Sequence, residues 1–255
     1  MSPAAVLTER TELGHGLLLR VQGPRELHAC RPGQFVMLRC GPSWTPYLRR
    51  ALFPVDSDEN SLAFWIDSLA DEGMAWLSRR KIGDVLDLLG PIGKGFTLHS
   101  QQRRLLLVGE AAHVAPLLAL MPMQLGRQGS VVLLLQAPTV TALLPPGALP
   151  PSVEYYTATD DGSAGSADAL DALLARAIPW ADLLAAAGSA AFLRRVQRRI
   201  GETRPEPYRG FAQAVAPVPL PCGGGACLAC LVDTGRGHHR ACQRGPVFDL
   251  SELAL

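Results

Sequence analysis

Four cysteines near the C-terminus constrain this chain more than any other feature of its sequence. Cys222, Cys227, Cys230 and Cys242 follow the spacing C-x4-C-x2-C-x11-C, and mostly glycine and alanine stand between the first three. A [2Fe–2S] cluster takes four thiolates, and C-x4-C-x2-C with a distant fourth cysteine is the spacing of plant-type ferredoxins. Small residues let the backbone wrap closely around such a cluster, and glycine adopts the backbone angles that the wrap requires. The spacing therefore predicts a [2Fe–2S] cluster held by these four cysteines.

A β-hairpin is predicted to bring the fourth cysteine back to the other three. Residues 231–234 have the character of a strand, Gly235–Gly237 that of a tight turn, and the residues after it would return Cys242 to the loop. Two other uses of the cysteines compete. Structural zinc sites favour paired C-x2-C knuckles, of which this stretch has one, and disulfides are typical of secreted proteins, whereas the first residues do not resemble a signal peptide.

Composition indicates a globular protein with no preference for polyanions. At 255 residues and 48% hydrophobic, the chain can bury more than one core, and a net charge of +1 gives no electrostatic reason to bind nucleic acid. No apolar run approaches the ~18 residues of a membrane span. Cys30 and Cys40 lie far from the other cysteines in sequence, and we expect them to be reduced, packed side chains. The expectation is a cytoplasmic protein that binds neither nucleic acid nor membrane.

Residues 1–100 are predicted to form an antiparallel β-barrel. Short apolar or alternating runs, separated by Gly, Pro or charged turns, are typical of barrel strands. One of these runs is Ala51–Val55, and one helix is predicted over Glu72–Arg80.

Residues 101–204 change to a pattern of strand, turn and helix, which favours a Rossmann-like parallel sheet covered by helices. The predicted strands lie at 105–108, 131–137, 153–159 and 181–188, and helices are predicted at 114–121, 167–176 and 189–200. Residues 205–255 would be a separate cluster module. Its first part, 205–221, is rich in proline and is predicted as a linker.

Several segments resemble the electron-transfer subunits of bacterial dihydroorotate dehydrogenases, which are built like ferredoxin–NADP reductases with an added cluster module. The resemblance covers nearly the whole chain. The similar segments are Pro32–Leu38, Tyr47–Val55 at the family's Arg-Pro-x-Ser flavin motif, Gly90–Phe96, Ala158–Gly165, and the cysteine loop with Arg244–Phe248. The resemblance implies the same three parts in the same order: barrel, Rossmann-like domain and [2Fe–2S] hairpin module.

This resemblance also implies cofactors and a partner. Members of the family bind FAD in the first domain and NAD in the second, and their cluster relays electrons to an FMN-containing dehydrogenase subunit. The four cysteines would be the cluster ligands, and no catalytic acid, base or nucleophile is expected. At the matching positions of this chain, the FAD-binding residues would be Arg50, Leu52, Phe53, Gly73 and Met74.

The dinucleotide-binding turn departs from the family's pattern. Where relatives read VGGGIGVAPL, residues 108–117 read VGEAAHVAPL, which puts Glu110 and His113 at glycine positions. Glycines there let backbone N–H groups approach a pyrophosphate, and a carboxylate about 5 Å away would repel it by roughly 3 kcal/mol at an effective dielectric near 20. Ala187 also replaces a cysteine that lies by the nicotinamide in relatives. The sequence therefore predicts that NAD is not bound productively.

The residues at the family's flavin-binding positions depart less from the family pattern than those of the dinucleotide-binding turn. Arg50 stands where the family's arginine meets FAD, and a guanidinium suits a pyrophosphate. Phe53 replaces the family's serine, and Asp71 and Glu72 stand where the family's GxGT segment precedes a helix. Acids are stabilising at a helix start that holds no other anion. FAD is therefore a candidate cofactor of the first domain.

Three functional hypotheses follow. The leading one is an electron-transfer subunit, not catalytic by itself, that works through a [2Fe–2S] cluster with a partner dehydrogenase of pyrimidine biosynthesis. The second is a catalytically degenerate structural or regulatory subunit that has kept the cluster and lost NAD binding, with or without loss of FAD binding. A stand-alone NAD(P)H-dependent reductase fits least, because of Glu110, His113 and Ala187. Leu228, in the cysteine loop, is either an apolar contact for the partner or a side chain packed inward.

Overall fold

The first hundred residues form a seven-stranded antiparallel sheet in the order β4-β3-β7-β1-β2-β6-β5. The computed structural model describes residues 4–41, 47–67, 71–166, 168–205 and 208–255. The elements of this part are β1 Ala4–Leu13, β2 Gly16–Gln22, α1 Arg25–His28, β3 Phe35–Leu38, β4 Arg50–Leu52, β5 Pro54–Ser57, β6 Ser61–Asp67, α2 Glu72–Ser78 and β7 Val85–Ile92.

Phe53 joins the two edges of this sheet. β4 and β5 are the edge strands, yet Phe53 is the one residue between them, so the sheet must curve until both edges meet. The predicted antiparallel barrel is thereby confirmed. The run 51–55, predicted as one strand, is two strands, because Phe53 leaves the ladder and packs its ring against Phe35 with centroids 5.8 Å apart. The predicted helix 72–80 ends at Ser78.

The second sheet has the order β10-β9-β8-β11-β12-β15, and all but its last strand run parallel. All four predicted strands are present, and the residues of β11 are buried because helices cover both faces. The elements are β8 Arg104–Glu110, α3 Ala115–Leu118, α4 Leu120–Gly126, β9 Ser130–Ala137, β10 Val153–Thr159, α5 Ala169–Trp180, β11 Leu183–Ala187, α6 Ala190–Thr203 and β12 Ala212–Val215.

The helix boundaries differ from the predicted ones. The helix predicted at 114–121 is two short helices, α3 and α4. The helix predicted at 167–176 is α5, which continues to Trp180, and Ala167 lies outside the described residues. The helix predicted at 189–200 continues as α6 to Thr203. Among the described helices, none is long and apolar enough to cross a membrane.

The C-terminal module returns to the second sheet. Its elements are β13 Leu231–Thr234, β14 Gly237–Arg240, α7 Ala241–Arg244 and β15 Val247–Asp249. β13 and β14 form the predicted hairpin. β15 pairs antiparallel with β12, so residues 205–221, predicted as a linker, supply a strand that extends the parallel sheet and receives the module's last strand. The domain boundaries at 100/101 and 204/205 stay predictions.

Residues 245–249, which we call the clamp segment, touch both sheets. The backbone N–H of Lys94, just after β7, donates to the carbonyl of Gly245. The Val247 side chain is buried, and a Cβ at Gly33 of the barrel would lie 2.7 Å from its Cγ2. β15 completes the contact by pairing with β12. The clamp segment therefore fixes the cysteine module against the barrel and the second sheet together.

Candidate metal centre and interdomain cleft

The cysteine loop lies on the barrel, and its glycines are required for that approach. Gly223 and Gly225 have φ of +64° and +78°, in the left-handed region that side chains rarely adopt. A Cβ at Gly223 would lie 2.9 Å from the side chains of Met37 and Ile92, which belong to β3 and β7. Any larger residue at this position would lift the loop from the barrel.

The four predicted ligands form two pairs of thiols. The Sγ atoms of Cys230 and Cys242 are 3.4 Å apart, and both side chains are buried. Cys242 reaches Cys230 because α7 begins where β14 ends, and the N–H of Ala241 donates to the carbonyl of Cys230. Burial, the neighbouring thiol of Cys230 and the charge of Cys222 raise the pKa of Cys242 to about 11.

Cys222 pairs with Cys227 in a part of the loop that favours negative charge. The backbone N–H and the thiol of Cys227 both donate to the Cys222 sulfur, and the N–H groups of Gly224 and Ala226 add to them. Together they lower the pKa of Cys222 to about 6. Backbone donors aimed at a thiolate are the kind of hydrogen bond that iron–sulfur sites use.

Two thiol pairs with small loop residues fit a [2Fe–2S] cluster, in which each of two irons takes two thiolates. Among the residues that the structure describes, no three or more His, Cys, Asp or Glu side chains are grouped as a metal site, so the two thiol pairs do not by themselves separate zinc from a cluster. The single C-x2-C knuckle and the C-x4-C-x2-C spacing favour the cluster. All six cysteines are free thiols, which gives the disulfide alternative no support.

Cys30 and Cys40 lie in the barrel core, away from these pairs, as expected of packed thiols. Burial raises the pKa of Cys30 to about 12 and that of Cys40 to about 11.

A cleft of about 690 Å³ opens beside the cysteine loop, between the barrel and the carboxyl ends of the parallel strands. Of the predicted flavin residues, Leu52, Phe53 and Met74 line it, whereas Arg50 and Gly73 do not. Residues 215–220, from the last residue of β12 toward Cys222, form one wall of the cleft. The sequence did not predict a role for these residues in a site, because their prolines indicated a linker. The other lining residues are Ala51, Trp65, Ile66, Ala111, Ala112, His113, Ala115, Pro116, Ala187, Gly188, Ser189 and Ala190.

Arg50 and the start of α2 are held by the protein's own carboxylate. The Nε atom of Arg50 lies 3.1 and 3.0 Å from the two carboxylate oxygens of Asp71. Asp71 also accepts from the N–H groups of Gly73, at 2.6 Å, and Met74, at 3.1 Å. Although partial burial opposes it, the hydrogen bonds from Arg50, Met74 and Gly73 hold the pKa of Asp71 below its usual range. The groups predicted to donate hydrogen bonds to a flavin pyrophosphate therefore already donate to the carboxylate of Asp71.

Glu110 occupies the start of α6 in a similar way. Its carboxylate accepts from the backbone N–H of Ser189 and, at 3.2 Å, from the Ser189 hydroxyl. The Ser189 hydroxyl in turn caps α6 by accepting from the N–H of Phe192. His113 Nδ1 lies 3.6 Å from the same carboxylate. The sequence pointed to Glu110 and His113 as departures from the family pattern. It did not predict the bond between Glu110 and Ser189, because the two residues are 79 positions apart in the chain.

Leu228 is exposed, with 52% of its surface accessible, and it has a φ of +59°. Inward packing, the second of the two predicted roles, is therefore excluded. Leu231, on the hairpin that follows, is also exposed. The cysteine loop thus presents two leucines to solvent.

Comparison of this chain with known protein families and with curated proteins agrees with this architecture. The iron-sulfur cluster binding domain of dihydroorotate dehydrogenase B matches residues 220–254. The electron transfer subunit of dihydroorotate dehydrogenase B (NAD(+)) from Geobacillus kaustophilus is 33% identical over 233 residues, covering 88% of this chain and 87% of the relative. The same subunit from Bacillus mycoides is 30% identical over 234 residues, with 88% and 87% covered.

Solved structures show the same fold. An NADH-dependent reduced ferredoxin-NADP oxidoreductase superposes with a TM-score of 0.80 at 21% identity, covering 98% of this chain and 89% of that one. The ferredoxin reductase of a carbazole 1,9a-dioxygenase gives 0.66 at 20% identity, covering 79% and 65%. At such identities the likeness shows the fold alone. From the close agreement in length and sequence with the curated relatives, this chain belongs to the family of dihydroorotate dehydrogenase B electron transfer subunits.

Proposed function

We propose that this chain is a cytoplasmic electron-transfer subunit of a dihydroorotate dehydrogenase, with a [2Fe–2S] cluster held by Cys222, Cys227, Cys230 and Cys242. The observation that carries the proposal is the convergence of these thiols as two pairs. When bound, the cluster would supply one-electron transfer. The partner would be an FMN-containing dehydrogenase subunit that oxidises dihydroorotate.

Each part of the cysteine loop has a separate task. The first pair would hold one iron and the second pair the other. N–H groups of Gly224 and Ala226 favour the thiolate at Cys222, which is the form that ligates metal. The burial of Cys230 and Cys242 keeps water from the inner pair, whereas Cys222 and Cys227 lie nearer the surface. Electrons would enter or leave on that outer side.

Leu228 and Leu231 support the outer side as the face that meets the partner. Both leucines are exposed. Leu228 follows the exposed Cys227 in the chain, and the N–H of Leu231 donates to the carbonyl of Leu228. Burying one such side chain at an interface contributes about 1.5–3 kcal/mol. Polar residues of the hairpin turn would then form the rim.

The residues do not fit the pyrophosphate of FAD as they stand. Leu52, Phe53 and Met74 would contact a ring in the cleft. Arg50 and the N–H groups of Gly73 and Met74, which would hold the phosphates, are engaged by Asp71. The assignment of these five residues to FAD therefore rests on the resemblance alone, and the contacts of Asp71 do not favour it.

Metal analysis of the purified chain tests the cluster. Anaerobic protein should contain about two irons and two acid-labile sulfides per chain. Replacing any one of the four cysteines with serine should lower both, whereas Cys30→Ser and Cys40→Ser, in the barrel core, should not. One zinc per chain without sulfide would contradict the proposal.

Reduction experiments separate the electron-transfer role from a structural or regulatory one. Dihydroorotate added to the complex with the dehydrogenase subunit should bleach the visible absorption of the cluster. A structural subunit would bind the partner without bleaching. NADH added to the isolated chain should leave the absorption unchanged, because Glu110 fills the dinucleotide turn.

A further inference from the structure

The cleft lacks free sites for the phosphates of a bound dinucleotide. Asp71 accepts from Arg50 and from two N–H groups at the start of α2. Glu110, in the turn after β8, accepts from Ser189 at the start of α6. A second anion at either place would lose these donors and meet a carboxylate instead.

The lining residues give the cleft an apolar character. Among the described lining residues there is no Asp, Glu, Lys or Arg, and His113 is the one titratable side chain. Alanine, proline and larger apolar side chains make up most of the remaining wall. A ligand that carries charge would be desolvated here without an ion-pair partner, which is costly. The cleft therefore favours an uncharged ligand.

The position of the cleft indicates a redox role. Leu220, which closes one wall, is two residues from Cys222, and the Gly223 of the same loop packs on the barrel. A volume of about 690 Å³ is within the range of small-molecule sites. A neutral ligand at this place would contact the segment that leads directly into the first cysteine of the loop.

We propose that the cleft takes an uncharged, flat redox ring of the quinone class, and that Asp71 and Glu110 exclude dinucleotides from it. The inference rests on the proposed electron-transfer function and names the electron acceptor. Leu52, Phe53, Met74 and Trp65 would contact the ring, and apolar residues of 215–220 would contact its substituent.

The electrons that reduce the quinone would come from the substrate of the dehydrogenase partner. That substrate loses two electrons and two protons as a carbon–carbon double bond forms in its ring. The quinone gains two electrons, and its two carbonyl oxygens become hydroxyls by taking two protons from solvent. Solvent can reach the cleft where His113, whose side chain is 52% exposed, lines it.

Ligand binding to the isolated chain tests the proposal without any turnover. Tryptophan emission is followed while a short-chain ubiquinone, FAD or NADH is added. Because Trp65 lines the cleft, the ubiquinone should quench saturably, and FAD and NADH at equal concentration should show at least tenfold weaker binding. Trp65→Phe should remove the saturable quenching. Trp76→Phe, which changes a tryptophan outside the lining, should retain it.

A second pair of variants tests the Asp71 carboxylate at the start of α2. Asp71→Ser keeps a side chain that caps α2 but removes the charge, so FAD affinity should rise at least tenfold. Glu72→Gln removes the adjacent carboxylate, which does not cap the helix, and should leave FAD affinity unchanged. Thermal unfolding of each variant checks that the fold is intact.

Two results would overturn the proposal: FAD that co-purifies at one per chain, or ubiquinone that quenches the Trp65→Phe variant as strongly as wild type. Either result would leave iron content and bleaching by dihydroorotate untouched. Absence of the cluster would instead contradict the proposed function, because quinone binding is measured on the cleft alone.

Discussion

At the scale of the residue, the backbone of Leu228 carries strain that its side chain does not relieve. A φ of +59° destabilises a residue that has a Cβ by roughly 1–2 kcal/mol. Because Leu228 is half exposed, packing of its side chain offsets little of that energy. Glycine adopts this conformation without the steric cost. The side chain is therefore expected to serve an interaction outside the chain.

Leu228→Gly should stabilise the isolated chain and weaken its complex. We expect the free energy of unfolding to rise by about 0.5–1 kcal/mol, because relief of strain exceeds the added freedom of glycine in the unfolded state. Affinity for the dehydrogenase subunit should fall about tenfold, from loss of buried apolar surface. Leu228→Ala is the matched control: it should weaken the complex similarly without the gain in stability. Unchanged affinity in both variants would place the docking face elsewhere.

Sequence predicts residue roles most directly where the spacing itself carries the chemistry. The cysteine pairs follow from a local pattern, and the hairpin that returns Cys242 is read from its turn. The bond between Arg50 and Asp71 was not predicted, although both residues had been singled out. Such pairings depend on how distant strands and helices meet, which a local pattern does not contain.

At the scale of the element, α5 and α6 are joined by a charged contact that should depend on pH. Asp171 on α5 lies 2.8 Å from Arg195 Nε and 3.2 Å from Arg199 Nη2 on α6. Hydrogen bonds from Arg195 and then Arg199 lower the pKa of Asp171 to about 2. The unfolded carboxyl titrates near 3.9. Stability from this contact is therefore complete above about pH 4 and is lost as the pH falls toward 2.

Asp171→Asn should measure that contribution. Because Asp171 is partly exposed, solvent screening reduces the expected loss at pH 7 to about 1 kcal/mol. The difference in unfolding free energy between wild type and variant should shrink as the pH is lowered from 5 to 3. Asp168→Asn, one turn earlier and outside this contact, should show no such trend. A difference that stayed constant with pH would show that the carboxylate's charge is not responsible.

Element prediction succeeded for long apolar runs and failed for short ones. β8, β9 and β11 are largely buried apolar strands, which their sequences show plainly. β10, at the edge of the sheet, has alternating exposed residues and is predicted from its β-branched and aromatic residues. β12 has four residues between proline-rich stretches, so its own pattern resembles a linker. Its partners β11 and β15 make it a strand, and those partners lie far away in sequence.

At the scale of the whole molecule, the clamp segment should make unfolding cooperative across all three parts. Val247→Ala removes a buried side chain that meets the barrel at Gly33, and it should lower the free energy of unfolding by about 2 kcal/mol. Val140→Ala, at an exposed position, should change it by less than about 0.5 kcal/mol. The loss of visible absorption and the change in tryptophan emission should shift together. A shift of the visible signal alone would show that the module unfolds independently.

The pairing of β15 with β12 also decides how electrons can move through the protein. A carrier on a flexible arm must diffuse between its donor and acceptor, and its rate falls as the solvent becomes more viscous. Here the cysteine module is hydrogen-bonded to the same sheet whose strand ends form the cleft. The distance for electron tunnelling between the cysteine module and the cleft is therefore fixed by the fold. Added glycerol should slow only the encounter of this subunit with its partner.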